Sequence, residues 1–268
     1  MAASLSRRRF VMEDIPIGRV AALYDIHANL PALEAALEEI RQADVDLVVV
    51  GGDVLPGPMP GETLACLIDL DTPTRFILGN GDREVLAQMA GTETSWYRSA
   101  QEAWREPVRW TARQLGEEHR RLMAGWPATC RAKIDGVGEV LFCHATPRND
   151  TECFTRVTPE EQLVPIFEKA EAPIVVCGHT HMQFDRRIGN VRVVNAGSVG
   201  MPFGEPGAFW LLLGPDVRLR QTRYDFGSAA ERVRGTNYPQ IEEFVAHGIL
   251  RPPPEQRMIE LFSRAELK

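Results

Sequence analysis

RVAALYDIHANLPAL, residues 19–33, is the stretch whose reading decides the fold. Its opening, Arg19 to Tyr24, is a short apolar run of the kind that forms a buried strand. The run stops at Asp25-Ile26-His27, and a helix is predicted from Leu30 to Arg41. Asn29 is placed to cap that helix, Pro31 suits its first turn, and Leu33, Leu37 and Ile40 recur at helical spacing.

The same grammar continues along the chain. Further apolar runs, each ending in Gly, Asp, Asn or His, are Asp46 to Val50, Thr74 to Leu78, Val140 to Cys143, Ile174 to Cys177, Val191 to Val194 and Phe209 to Leu213. Early strands alternate with helical patterns. From Val140 onward strands follow one another, interrupted by an amphipathic stretch around Pro159 to Lys169. The expected fold class is α/β: two packed mixed β-sheets flanked by helices, an αββα sandwich, with a helical insert and a helical C-terminal tail.

The expected organisation is a disordered leader at 1–18, a main domain at 19–226 with the insert at about 83–125, and an extension at 227–268. Ser6 to Val11 resembles a twin-arginine export signal, but Met12 to Pro16 supply no apolar stretch to follow it, and Met12 is an alternative start. In the insert, Trp96, Trp104 and Trp110 read as anchors packing helices on the sheet, with a cover over the site as the alternative. The tail reads as two helical pieces broken by Pro252, Pro253 and Pro254.

Composition narrows the function. The chain has 268 residues, 44% hydrophobic and 25% charged, enough to bury a substantial core. A net charge of −7 with no long basic stripe argues against a nucleic-acid surface, and no run approaches membrane-spanning length. The five cysteines, Cys66, Cys130, Cys143, Cys153 and Cys177, form no C-x-x-C pair, and two lie in apolar strand runs, so a reducing cytoplasm is expected.

In an open sheet, chemistry gathers where strands end. Those ends read Asp25-Ile26-His27, Gly51-Gly52-Asp53, Gly79-Asn80-Gly81-Asp82, His144 and Gly178-His179-Thr180-His181. The i, i+2 spacing of Asp25/His27 and of His179/His181 turns each pair toward one side of an extended segment. Singly each has an ordinary explanation: a cap, a turn, a partly buried imidazole. Together they place four of the chain's six histidines within short polar motifs at strand ends, and metal binding is the better account.

This order of motifs resembles the calcineurin-like metallophosphoesterase superfamily from about Arg19 to Leu213. Asp25 to Leu33 and Asn195-Ala196-Gly197-Ser198-Val199-Gly200 are similar to its small bacterial and archaeal phosphodiesterase branch. The resemblance implies two divalent cations. Asp25, His27, Asp53 and His181 would hold one, and Asp53, Asn80, His144 and His179 the other, with Asp53 shared. Nitrogen and oxygen ligands without thiolate favour Mn²⁺, with Fe, Co²⁺, Ni²⁺ or Zn²⁺ as alternatives. It further implies hydrolysis of a phosphate ester by a hydroxide bridging the metals, with Asp53, Asn80 and His144 at the reacting centre. Asp82 is expected to orient a ligand such as His144, and Arg148 to meet the substrate phosphate, each with a bland structural alternative.

Three positions depart from the pattern. Gly81 stands where many members carry a histidine thought to assist the leaving alkoxide, Ala28 where glycine is common, and Phe203 where this branch often has arginine. Loss of a general acid costs roughly 10²–10⁴-fold with poor leaving groups. A phosphodiester of small or nucleotide-derived type, with an acidic leaving group, is therefore the expected substrate. His119 or His247 would replace the missing acid only if folding brought them there. A phosphomonoesterase or nucleotide pyrophosphohydrolase is the nearest alternative, and a non-catalytic protein-interaction scaffold a more distant one. A homo-oligomer is left open.

Overall fold

A computed structural model describes residues 17–264 and 267; the predicted leader and the alternative start at Met12 fall outside them, apart from its last two residues. Two five-stranded sheets pack face to face. Strands and helices are numbered in chain order.

The first sheet has the order β10-β9-β1-β2-β3. Its parallel centre is β1 (Val20–Leu23), β2 (Leu47–Val50) and β3 (Thr74–Phe76), and β9 (Ala208–Leu213) and β10 (Val217–Thr222) add an antiparallel flank. The second sheet, β4-β5-β6-β8-β7, repeats the plan. Here β5 (Gly138–Cys143), β6 (Ile174–Cys177) and β8 (Val191–Asn195) run parallel, between antiparallel β4 (Thr129–Ile134) and β7 (Phe184–Ile188).

Alternation along β1 shows why its sequence is apolar throughout. Val20, Ala22 and Tyr24 face the core between the sheets, joined there by Val49, Phe142, Val176 and Leu211. Ala21 and Leu23 face the opposite way, into a core shared with α1 (Leu30–Gln42) and α2 (Pro60–Ile68). A strand covered on both faces has no polar side to show. On the far side of the second sheet, Val175 and Cys177 pack with Leu163 and Phe167 of α7 (Glu160–Phe167).

Strands β4, β7 and β10 carry charges on their exposed faces, as in Phe184-Asp185-Arg186-Arg187-Ile188, and the sequence reading missed all three. The segment expected as an insert contains most of α3 (Asn80–Met89) and all of α4 (Ser95–Ser99), α5 (Glu102–Arg113) and α6 (Glu117–Met123). Of its three tryptophans only Trp110 acts as an anchor, set edge-on to Tyr238, while Trp96 and Trp104 are 42% and 64% exposed. The tail holds α8 (Phe226–Arg234), α9 (Ile241–Phe244) running into a π-helical turn (Val245–Leu250), and α10 (Glu255–Phe262) after the prolines. No helix among the described residues is long and apolar enough to cross a membrane.

Candidate metal centre

All the motifs converge at the carboxyl ends of the parallel strands. Asp25 and His27 follow β1, Asp53 follows β2, Asn80 opens α3 after β3, His144 follows β5, and His179 and His181 follow β6. Both sheets therefore deliver ligands to one cleft. Asp25, His27, Asp53, His179 and His181 all have left-handed backbone, with φ between 48° and 67°. For residues other than glycine this costs about 1–3 kcal/mol each, and such strain collects where a site must aim side chains.

Two clusters result: Asp25, His27 and His181, and Asp53, His144 and His179, with ligand atoms within 4.8 Å of one another in each. Asp53 lies between them. Its Oδ2 is 4.0 Å from His27 Nε2 and its Oδ1 3.5 Å from His144 Nε2. The Asn80 carboxamide joins the second cluster, with Oδ1 3.1 Å from His144 Nε2.

Each imidazole is turned by a backbone carbonyl. His144 Nδ1 lies 3.0 Å from Gly51 O, His181 Nδ1 2.6 Å from Met201 O, and His179 Nε2 3.3 Å from Thr151 O, while the Pro56 carbonyl accepts from His27. With those nitrogens donating, the other nitrogen of each ring presents a lone pair to the cleft.

The electrostatics fit the same reading. Burial, reinforced by His181, pushes His27 down to about 3, and burial, reinforced by His144, does the same to His179. Burial opposes ionisation of Asp25, but His181, His144 and His27 together outweigh it and hold this carboxyl below the usual range. Burial lowers His181 in turn, but Asp25, with the Met201 carbonyl and Asp53, overcomes that effect and leaves it raised. Asp53 is pushed up by burial and by the neighbouring Asp25 charge, against the Gly81 N–H that donates to it.

Cations fit this donor set. Asp25 Oδ1 is buried without a hydrogen-bond partner, His27 Nε2 and His181 Nε2 face each other at 3.2 Å, and Asn80 Oδ1 faces imidazole nitrogens and a carbonyl. Acceptor-only atoms so gathered need a positive charge among them. Residues 19–213 match the family model described as a calcineurin-like phosphoesterase superfamily domain. The chain belongs to that superfamily.

This phosphoesterase is 25% identical over 241 residues to an uncharacterized Methanocaldococcus jannaschii protein, MJ0912, which covers 82% of this chain and 94% of that one. A crystal structure of a metallophosphoesterase from Sphaerobacter thermophilus superposes with a TM-score of 0.67 at 25% identity, covering 87% of this chain and 100% of that one. The hypothetical protein PH1004 from Pyrococcus horikoshii OT3 shares the fold at a TM-score of 0.70 and 21% identity, over 86% and 98% of the two chains.

Asp82 and Arg148 are engaged by groups outside the ligand set, Asp82 in the turn-and-cap position that was its structural alternative. Asp82, buried at the third position of α3, accepts from Leu55 N–H at 2.9 Å and Gly79 N–H at 3.1 Å, so it ties the loop after β2 to the start of α3. Burial, then the Asp53 charge, push it up to about 8. His144 is oriented by Gly51 instead. The Arg148 guanidinium is engaged by Glu152, with its Nε 2.8 Å from Oε1, and Glu152 also takes the Thr146 hydroxyl at 2.5 Å. His119 caps α6 by accepting from Gly116 N–H, and His247 stands exposed in the π-helical turn; neither hydrogen-bonds to the ligands.

Side chains outside the ligand motifs complete the surroundings. Arg83, one turn into α3, grips Asp150 through Nε at 2.8 Å and Nη2 at 3.1 Å, and Cys153 Sγ lies 3.4 Å from His179 Nε2. Phe203 stacks on the His181 ring. The two glycines flanking Asn80 are dictated by space. A Cβ on Gly79 would stand 2.2 Å from Asp53 Oδ1, and one on Gly81 2.3 Å from Leu55 O.

Proposed function

We propose that the protein hydrolyses a small or nucleotide-derived phosphodiester using two divalent cations, Mn²⁺ being the favoured ion. Asp25, His27, Asp53 and His181 hold the first cation and Asp53, Asn80, His144 and His179 the second. When bound, the pair supplies an acidified water and neutralises charge on the phosphoryl oxygens. The chain's own part is to hold seven ligands ready: backbone carbonyls set each imidazole, and the N-terminal turn of α3 holds Asp53 through the Gly81 N–H.

The observation that carries this reading is Asp53 lying between two convergent clusters of lone pairs. Preference for a diester follows from Gly81. Without an imidazole there, departure of a basic alkoxide goes unassisted and esters with acidic leaving groups are favoured. The five cysteines are free thiols, in keeping with a reducing cytoplasm. Turnover of bis-p-nitrophenyl phosphate against p-nitrophenyl phosphate, with Mn²⁺ added, tests the proposal. The diester should be the better substrate, and a clear preference for the monoester would place the enzyme among phosphomonoesterases.

A further inference from the structure

We infer that Phe203, backed by the C-terminal helix α10, is the specificity-determining side chain of the metal cleft: a platform selecting esters whose organic part is an aryl group or nucleobase. This rests on the phosphoesterase reading and names the substrate class of that same site.

Phe203 lies parallel to the His181 ring, with centroids 5.1 Å apart and planes 18° apart. His181 Nε2 is 3.4 Å from Asp25 Oδ1 and 3.2 Å from His27 Nε2. The phenyl ring thus stands one ring layer from the atoms that would hold the first cation. It is half-buried, neither sealed in a core nor free in solvent.

Its loop is fixed from both sides. Ser198 Oγ takes the Met201 N–H at 2.8 Å, Met201 O orients His181, and Gly204 N–H donates to Pro253 O at 2.9 Å. Past those prolines, Glu255 pairs with Arg156, Ile259 is buried, and Phe262 sets its ring 6.1 Å from that of Phe203 at 44°. The tail therefore props the phenyl ring against the metal cleft.

A phenyl ring offers nothing to phosphate oxygens, so its partner is the organic part of the ester. An alkyl group gains only contact area there, whereas a flat π-system also gains a stack, worth about tenfold or more in affinity per ring. Having no hydrogen-bond donor or acceptor, the platform selects rings over chains without choosing among bases.

Calorimetric binding of phenyl phosphate and methyl phosphate to the full-length, Mn²⁺-loaded protein tests this. Phenyl phosphate should bind about tenfold tighter. Phe203→Leu, which keeps apolar bulk, should bring the ratio near one, and Phe262→Ala, which removes the prop without touching His181, should lower it part way. A ratio near one in the unaltered protein, or one unmoved by the substitutions, overturns the inference while leaving diester hydrolysis standing. Should Phe203→Leu fail to fold, Phe262→Ala decides alone by the same ratio. If neither phosphate binds and no Mn²⁺-dependent hydrolysis is found, the phosphoesterase reading falls and the platform with it.

Discussion

Gly81 N–H donates to Asp53 Oδ1 at 2.7 Å, so the residue that departs from the superfamily pattern also holds the carboxylate between the two clusters. The close approach that makes this bond leaves no room for a side chain: a Cβ at Gly81 would fall 2.3 Å from Leu55 O and 2.9 Å from Pro56 Cδ. A histidine is thus excluded here by the local backbone. Gly81→Ala should destabilise the protein by about 1–3 kcal/mol, the usual cost of forced overpacking. Gly81→His should lower diesterase turnover instead of supplying a leaving-group acid. Denaturant midpoints and turnover of the two variants check both statements.

Ala28 presents the opposite case. Its φ is 47°, a conformation that costs a side-chain-bearing residue about 1–2 kcal/mol, and its buried methyl returns about 0.8 kcal/mol. Ala28→Gly should therefore raise stability by about 0.5 kcal/mol despite deleting a buried group. A fall in the denaturant midpoint would show that the methyl contact outweighs the strain.

Metal removal should be felt in folding. Stripped of cations, the cleft keeps a buried carboxylate oxygen without a partner and two imidazole nitrogens face to face. At free metal a hundredfold above Kd each site contributes about 2.7 kcal/mol. A chelator should lower the thermal midpoint by several degrees, reversibly on adding Mn²⁺. His27→Ala should retain about half of the metal, since it belongs to one cluster, and Asp53→Ala, which belongs to both, should retain little.

The chelated protein should also have a defined pH profile. His181 has a raised folded pKa, so its contribution is complete below about 6.5 and is lost as pH rises through the raised value. His27 and His179 are held neutral down to about 3, so below about 6.5 the unfolded chain takes up protons that the folded one refuses, which by itself makes stability fall. Asp53 and Asp82, both raised in the folded protein, hold protons that the unfolded chain loses above about 3.8 and so offset that fall; stability should be nearly level between about pH 4 and 6.5 and drop as pH rises from there through about 8. Thermal midpoints measured in chelator that keep rising toward pH 4.5 would contradict the assignment.

The central strands were legible because both faces are buried, which forces the apolar runs of β1, β2, β6 and β9. Strands β4, β7 and β10 were not, since Lys133, Asp185 and Arg218 face outward and dilute the pattern. The ligands were visible as short motifs because backbone continuity fixes neighbours such as Asp25 and His27. What orients them is contributed by carbonyls of Gly51, Thr151 and Met201, groups that every residue carries and no sequence marks. Phe203 and Phe262 lie 59 positions apart and meet only through the fold of the tail, beyond the reach of local reading.

The most direct test counts metal in protein purified without chelator, beside the Asp53→Ala/His179→Ala double substitution, and measures bis-p-nitrophenyl phosphate turnover in the same samples. The account predicts two metals per chain, with Mn²⁺-dependent hydrolysis that the double substitution abolishes. A folded protein that takes up no metal and shows no metal-dependent hydrolysis would contradict it.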